Sequence, residues 1–305
     1  MFEAFRGSVA QWECDMMGHM NVRHYFAKCD QAIRFTALKL GITPQKSRDE
    51  GIELVITDQH VRFLQEQHAG SGLGIRMGVL DFSDKQIRLY QEIYNTLSGD
   101  IATTFITTAE PRRVADDELV AWPEMAQAFA AANQTEIPNY AQPRSLDLAP
   151  GTDTMTMQTI EELGLYESSA GAISGANCDV AGRIRPAFLI GHIADGVVNM
   201  TQKFKTRGFI DDPERRIGGA VLEYRLIYRY RPRAGSLFTV RTGLAEVMEK
   251  TNRFATWMMD LETGKPILSA ASVGLSFDLD TRKVVAPPPE ARAEMAAMMT
   301  PGLFI

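Results

Sequence analysis

The chain has 305 residues, of which 45% are hydrophobic and 23% are charged, a composition typical of folded globular proteins. This length favours two domains of ordinary size over one. The net charge of −6 argues against the basic face that nonspecific nucleic-acid binding requires, so no nucleic-acid partner is expected.

Neither membrane insertion nor export is expected from the sequence. No apolar run approaches the roughly 20 residues that a membrane-spanning helix needs. Residues 1–6 lack the basic-then-apolar order of a signal peptide. The three cysteines, Cys14, Cys29 and Cys178, contain no Cys-x-x-Cys pair and make no disulfide framework. We therefore predict a cytoplasmic protein with reduced thiols and no membrane partner.

The first half of the chain begins with a predicted strand at 5–12, followed by a short polar loop. A helix is predicted at 22–40, because Phe26, Cys29 and Ile33 recur at helical spacing. Turn signals then separate a series of predicted strands. These strands span 53–67, 72–82, 86–97 and 101–109, and a short helix follows at 124–132.

A linker is predicted next, because Pro138, Pro143 and Pro150 fall between Glu136 and Asp153. The second half then repeats the order of the first, with a strand at 170–177 and a helix at 186–205. Its later strands are predicted at 220–231, 237–247, 253–261 and 267–279. The tail at 287–299 has a helical pattern, for which we favour a capping role.

Sparse sequence identity also relates the two halves. Residues Gly7, Cys14, Asp15 and Gly18 recur 164 positions later as Gly171, Cys178, Asp179 and Gly182. A helix followed by antiparallel strands defines an α+β layer, and here the order occurs twice. We predict a first domain at 1–135, a linker at 136–168 and a second domain at 169–305.

Polar residues are concentrated just before the first predicted helix. Asp15 is followed by Gly18, His19, Asn21 and Tyr25. The exposed N–H groups and the positive end of a helix can polarise a carbonyl oxygen. A carboxylate held beside them can attack the carbonyl carbon or activate a water molecule. The pattern therefore favours chemistry on a carbonyl group.

This spacing resembles the Asp-x-x-Gly-His-x-Asn-x-x-x-Tyr signature of hotdog-fold thioesterases in the 4-hydroxybenzoyl-CoA thioesterase superfamily. The resemblance implies an α+β chain of two tandem hotdog domains, each an antiparallel sheet wrapped around a long central helix. It also implies an acyl-CoA thioesterase that releases a free acid and CoA. Neither a metal nor an organic cofactor is expected, since CoA enters as part of the substrate. The chain is also expected to form homodimers.

The resemblance assigns the catalytic roles to three residues of the first half. Asp15 occupies the position of the nucleophile or general base, although Asp also favours helix caps and turns. His19 and Asn21 are expected to orient Asp15 or to order a water molecule. The alternatives are a structural hydrogen bond for His19 and a helix cap for Asn21.

Substrate contacts are expected from the same segment. Gly18 permits a positive φ or a close approach of the substrate. The backbone N–H groups of Val22, Arg23 and His24, at the start of the helix, are expected to polarise the thioester carbonyl. Tyr25 is expected to form a wall of the pocket.

The second half carries a partial motif, in which Arg183 and Arg185 replace the histidine and the asparagine. Asp179 either serves a second active site or only holds the same turn. The two arginines suit CoA phosphates or a carboxylated acyl group. Surface or interface charge is an equally good explanation for them.

Other functions remain open from the sequence. A hotdog enoyl-CoA hydratase or dehydratase is one, although the motif does not resemble theirs. A non-catalytic acyl-CoA-binding protein is another. Cys14 beside Asp15 suggests a nucleophilic thiol, but a small residue that fills space explains it better. The arginine-rich run from Arg225 to Arg233 is predicted to be a polar strand face.

Overall fold

The computed structural model describes residues 1–149, 151, 155–206 and 216–305. The chain divides into two compact units. The first comprises Met1–Gln142 and Ser174–Ile190, and the second comprises Pro143–Ile173 and Gly191–Ile305. The segment that carries the second motif thus belongs to the first unit. Residues 150 and 152–154 of the predicted linker, among them Pro150 and Asp153, lie outside the described residues.

The first unit follows the predicted order of elements. Its elements are β1 (Phe2–Ser8), α1 (Val22–Lys39), α2 (Pro44–Asp49), β2 (Ile52–Phe63), β3 (Gly72–Phe82), β4 (Ile87–Asn95), β5 (Ile101–Arg113), β6 (Glu118–Leu119) and α3 (Met125–Ala132). The five long strands form an antiparallel sheet in the order β1-β3-β4-β5-β2. The short elements α2 and β6 had no counterpart in the predictions.

Helix α1 packs on this sheet through its apolar face. Phe26 meets Phe105 of β5 edge to face, with 5.1 Å between ring centroids. Cys29 is fully buried and its Sγ accepts a hydrogen bond from Gln91 Nε2 at 2.9 Å. Ile33 is also buried, as its helical spacing predicts. These contacts fix the long helix across the strands.

The strand predicted to reach Trp12 ends earlier. After β1, residues Gln11–Glu13 form a 3-10 turn, in which Glu13 N–H donates to Ala10 O at 3.0 Å. The Glu13 carboxylate also accepts the Ala10 N–H at 2.9 Å. This local capping diverts the chain from the sheet, and Trp12 is left exposed. The strand predicted at 170–177 instead spans Tyr166–Ala172, and a 3-10 turn at Gly175–Asn177 follows it.

The second unit repeats the same architecture. Its elements are α4 (Met157–Glu162), β7 (Tyr166–Ala172), α5 (Leu189–Lys203, whose first two residues lie in the first unit), β8 (Ile217–Tyr228), β9 (Leu237–Val247), β10 (Thr251–Asp260), β11 (Pro266–Asp278), β12 (Val284–Val285) and α6 (Pro289–Ala297). Its long strands are ordered β7-β9-β10-β11-β8, matching the first sheet strand for strand. No described helix is both long and apolar enough to cross a membrane.

Helix α5 packs on the second sheet, and the tail covers one end of it. Asn199 Nδ2 donates to Ser168 O of β7 at 3.0 Å. From α6, the fully buried Met295 joins a hydrophobic cluster with Phe204 and Phe254. The tail is therefore the capping helix that its pattern predicts.

The described part of the predicted linker is held on the two units by hydrogen bonds. In the first unit, Arg62 Nη1 donates to Gln142 O at 3.0 Å. In the second, Arg225 Nη1 donates to Asp147 O at 2.9 Å and to Ala149 O at 2.7 Å. Arg225 is consequently buried, so the prediction of a polar strand face is wrong at this residue.

Candidate active site

The loop that follows β1 closes on itself and on the start of α1. Cys14 and Met20 face each other as an antiparallel bridge. Asp15 N–H donates to His19 O, and Gly18 N–H donates to Asp15 O, both at 3.0 Å. We call residues 14–21 the Asp15 loop. Its backbone hydrogen bonds fix the main chain on both sides of the Asp15 side chain.

Gly18 lies in the left-handed region, with φ of +84°. Its N–H closes the turn on Asp15, and its carbonyl oxygen lies 3.1 Å from His68 Nδ1. A side chain at this position would be strained by the backbone conformation alone. The glycine of the motif is thus explained by the turn that it makes.

The two carboxylate oxygens of Asp15 have different surroundings. Oδ1 accepts the Met17 N–H at 2.9 Å, an Asx-type turn. Oδ2 lies 3.7 Å from His19 Nδ1, and the Asp15 side chain is 24% exposed. On the other side of the imidazole, His19 Nε2 lies 3.4 Å from Glu66 Oε1. The structure therefore aligns a carboxylate, an imidazole and a second carboxylate.

Asn21 is the N-cap of α1. Its Oδ1 accepts the Arg23 N–H at 3.1 Å, and its carbonyl oxygen accepts the His24 N–H at 3.0 Å. Two of the three N–H groups expected to polarise a carbonyl are thus engaged with Asn21. The third, the Val22 N–H, has no acceptor in the described part of the chain. It is the main-chain donor available at this end of the helix.

Tyr25 and His24 lie on the first turn of α1. Tyr25 is 3% exposed and packs edge to face on Phe63, with ring centroids 5.5 Å apart. Burial raises the pKa of its phenol, although a hydrogen bond with the Gln67 backbone opposes the shift. Burial lowers the pKa of His24, although the Glu13 carboxylate raises it. Tyr25 is thus a neutral group within the first unit at physiological pH.

The second motif forms a loop with the same backbone. Asp179 N–H donates to Arg183 O at 2.8 Å, and Gly182 N–H donates to Asp179 O at 3.0 Å. Gly182 has φ of +75°, close to that of Gly18. Asp179 Oδ1 accepts the N–H groups of Ala181 and Arg183, both at 2.9 Å. Asp179 is more buried than Asp15, with 7% of the residue exposed.

The two arginines of the second motif have different environments. Arg183 Nε donates to Val114 O at 2.8 Å, and one of its Nη atoms donates to Ala115 O at 3.2 Å. Its guanidinium therefore binds main-chain carbonyls at the end of β5. Arg185 is partly buried, and its positive charge lowers the pKa of Cys178, which burial raises overall. The predicted anion-binding role of these arginines stays a prediction.

Glu66 is the residue of this site that the sequence analysis missed. It follows β2 and precedes Ala69, whose segment recurs 165 positions later. The residue at the shifted position is Arg231. A comparison of the halves beyond the motif would have shown that the second half carries a cation, Arg231, at the position where the first half carries the Glu66 carboxylate.

Comparison with known proteins identifies the family. A family model described as the thioesterase-like superfamily matches residues 9–130 and 175–295. The chain therefore belongs to the thioesterase-like superfamily, and the predicted enzyme class, a hydrolase acting on acyl thioesters, is confirmed. The predicted α+β tandem hotdog fold is likewise confirmed. No curated protein matches the chain.

Solved structures with the same fold extend over nearly the whole chain. The 12:0-ACP thioesterase from Umbellularia californica has a TM-score of 0.65 at 11% identity, covering 90% of this chain and 94% of its own. A putative oleoyl thioesterase from Lactobacillus plantarum has a TM-score of 0.64 at 12% identity, covering 90% and 95%. An acyl-ACP thioesterase from Bacteroides thetaiotaomicron has a TM-score of 0.60 at 8% identity, covering 88% and 96%. At these identities the likeness concerns the fold.

Proposed function

We propose that the chain hydrolyses an acyl-CoA thioester to a free carboxylic acid and CoA at the Asp15 loop. The observation that carries this proposal is the alignment of Asp15, His19 and Glu66 beside the capped start of α1. A thioester carbonyl near Asp15 would meet both a carboxylate and the positive end of a helix. Those two features are what acyl transfer needs.

Two routes lead to the same products. In the first, an Asp15 oxygen attacks the carbonyl carbon, the C–S bond breaks, and the thiolate leaves and takes a proton. Water then hydrolyses the acyl-Asp15 anhydride. In the second, Asp15 removes a proton from a water molecule, which attacks the carbonyl carbon directly; the C–S bond then breaks, and the leaving thiolate takes the proton from Asp15. In both routes the Val22 N–H stabilises the negative oxygen of the tetrahedral intermediate.

His19 and Glu66 serve this reaction through Asp15. An imidazole between two carboxylates can hold Asp15 Oδ2 through one ring nitrogen while Glu66 fixes the other. Oδ1 accepts the Met17 N–H at 2.9 Å, whereas Oδ2 lies 3.7 Å from His19 Nδ1, so Oδ2 is the oxygen proposed to react. Asn21 contributes by capping α1 and thereby directing the Val22 N–H.

CoA is proposed as the thiol carrier, with no metal or organic cofactor, and the enzyme is proposed to act in the cytoplasm as a homodimer. Asp179 is proposed to hold its turn, since its Oδ1 already accepts two main-chain N–H groups.

Thiol release from a panel of short, medium, long and aromatic acyl-CoAs tests the proposal. A thiol-reactive dye follows the reaction, and the matching acyl-carrier-protein thioesters test the choice of carrier. Turnover of at least one acyl-CoA is expected. Binding of acyl-CoA without thiol release would contradict the proposal and favour a binding protein. Water addition to an enoyl-CoA would favour a hydratase.

A further inference from the structure

An ion pair is buried beside the Asp15 loop. Lys28 of α1 is 6% exposed, and its Nζ donates to Glu13 Oε1 at 2.7 Å and to Glu13 Oε2 at 2.9 Å. The same Nζ donates to Ser8 O at 3.1 Å. An ammonium group has three N–H donors, and this one therefore has an acceptor for each. A buried charge persists only when it is satisfied in this way.

Glu13 connects the chain before the Asp15 loop with the last residue of that loop. Its Oε2 accepts the Ala10 N–H at 2.9 Å, and its carbonyl oxygen accepts the Asn21 N–H at 2.9 Å. Burial raises the pKa of the Glu13 carboxyl, but the Lys28 ammonium and the Ala10 N–H lower it below its ordinary value overall. Glu13 is therefore a carboxylate at neutral pH, and Lys28 ties it to α1.

The second motif loop closes without such a pair. At the shift of 164, Glu13 corresponds to Asn177 and Lys28 corresponds to His192. Nevertheless the Arg185 N–H donates to Asn177 O at 3.0 Å, as the Asn21 N–H donates to Glu13 O. The loop backbone can thus form without a carboxylate at the first position and without a lysine at the second. The ion pair accompanies the complete motif, which indicates a role beyond closing the turn.

We propose that the Glu13–Lys28 ion pair positions the Asp15 loop on α1 for the proposed reaction. Lys28 lies seven residues after Asn21, which is about two helical turns and the same face of α1. The pair therefore joins the Asp15 loop to α1 at a second point, about two helical turns after the N-cap Asn21. This inference rests on the proposed role of Asp15. Glu13 and Lys28 act through the loop, so both are positioning residues.

Four variants test the proposal. Lys28→Met keeps an unbranched side chain without charge, Glu13→Gln keeps the size of the carboxylate, and the third variant combines both changes. Lys39→Met is the control, since Lys39 is an exposed lysine of the same helix. For each variant, kcat and KM for thioester hydrolysis and hydrogen exchange of the backbone amides are measured on folded protein.

Loss of the pair is expected to loosen one loop and leave the other unchanged. In Lys28→Met, kcat falls at least tenfold, KM changes less than threefold, and amides of residues 15–21 exchange at least tenfold faster. Amides of residues 179–185 exchange as in the wild type. The double variant loses no more kcat than Lys28→Met alone, because the two residues act as one unit. Lys39→Met behaves as the wild type.

Three results would overturn the proposal. The first is unchanged kcat and unchanged protection of residues 15–21 in both single variants. The second is losses in kcat that multiply in the double variant, which would mean independent roles. The third is equal loss of protection in both loops, which would mean a general contribution to stability. If Lys28→Met does not fold, Glu13→Gln carries the same comparison. If the wild type hydrolyses no thioester, the proposed function fails, and the exchange data alone decide whether the pair holds the loop.

Discussion

Replacing Gly18 by alanine separates the shape of the Asp15 loop from its packing. A Cβ built on Gly18 meets no atom within 4 Å, so the substitution causes no collision. The cost comes from φ of +84°, which an L-residue adopts at about 1–2 kcal/mol. A strain of that size shifts a local equilibrium by a factor of about 5–30. The loop is expected to relax and to move Asp15, lowering kcat by about that factor.

Gly182→Ala is the matched control. Gly182 has φ of +75°, its Cβ would also meet nothing within 4 Å, and its N–H closes the same turn on Asp179. Both variants should therefore lose about the same stability in urea denaturation, while only Gly18→Ala loses kcat. Equal kcat losses in the two variants, or wild-type kcat in Gly18→Ala, would show that the shape of the Asp15 loop does not determine kcat.

Three further substitutions give distinct results. Glu66→Gln removes the negative charge beside His19. In thiol-release assays kcat is expected to fall about tenfold, as for the loss of a charge-assisted contact. Wild-type kcat in Glu66→Gln would exclude Glu66 from the active site. Burial lowers the pKa of His24 from 6.5, so its stabilising contribution is fully present above about pH 6.5 and is lost as the pH falls from there through the lower pKa of the folded protein. His24→Phe, with the residue type found at Phe188, should therefore show a smaller drop in urea midpoint between pH 7.5 and 5, and an unchanged drop would contradict this. Cys14→Ser should keep kcat within about twofold, since the Cys14 thiol faces Ala10 O at 3.9 Å. An inactive Cys14→Ser enzyme would instead support Cys14 as the nucleophile.

The sequence predicted elements best where local signals bound them. Strands β3 (Gly72–Phe82) and β9 (Leu237–Val247) match their predictions to the residue, because turn residues flank both. Helix α1 (Val22–Lys39) differs from its prediction by only one residue, at its end. The agreement is close because the apolar face of the helix has a clear helical period. Trp12 was wrongly assigned to the first strand. The turn there depends on the Ala10 N–H donating to the Glu13 carboxylate, and such a contact leaves no periodic pattern in the sequence.

The candidate site was predictable only where its residues are close in sequence. Asp15, His19 and Asn21 fall within one loop, so their spacing shows that they belong together. Glu66 reaches His19 from the end of β2, and the contact depends on how the strand packs beside the loop. The placement of Ser174–Ile190 in the first unit likewise depends on contacts between distant parts of the chain. No local pattern encodes such pairings.

Asp15 is proposed to perform the chemistry, and Asp179 is proposed only to hold its turn. Both aspartates accept a main-chain N–H two residues ahead, from Met17 and Ala181 respectively, and the amide oxygen of an Asn can still accept that N–H at either position. The most direct test is thiol release by Asp15→Asn and Asp179→Asn with the best acyl-CoA substrate. Asp15→Asn is expected to lose at least about 100-fold in kcat while Asp179→Asn retains most of it. Equal losses in the two variants, or an active Asp15→Asn enzyme, would contradict the assignment of the chemistry to Asp15.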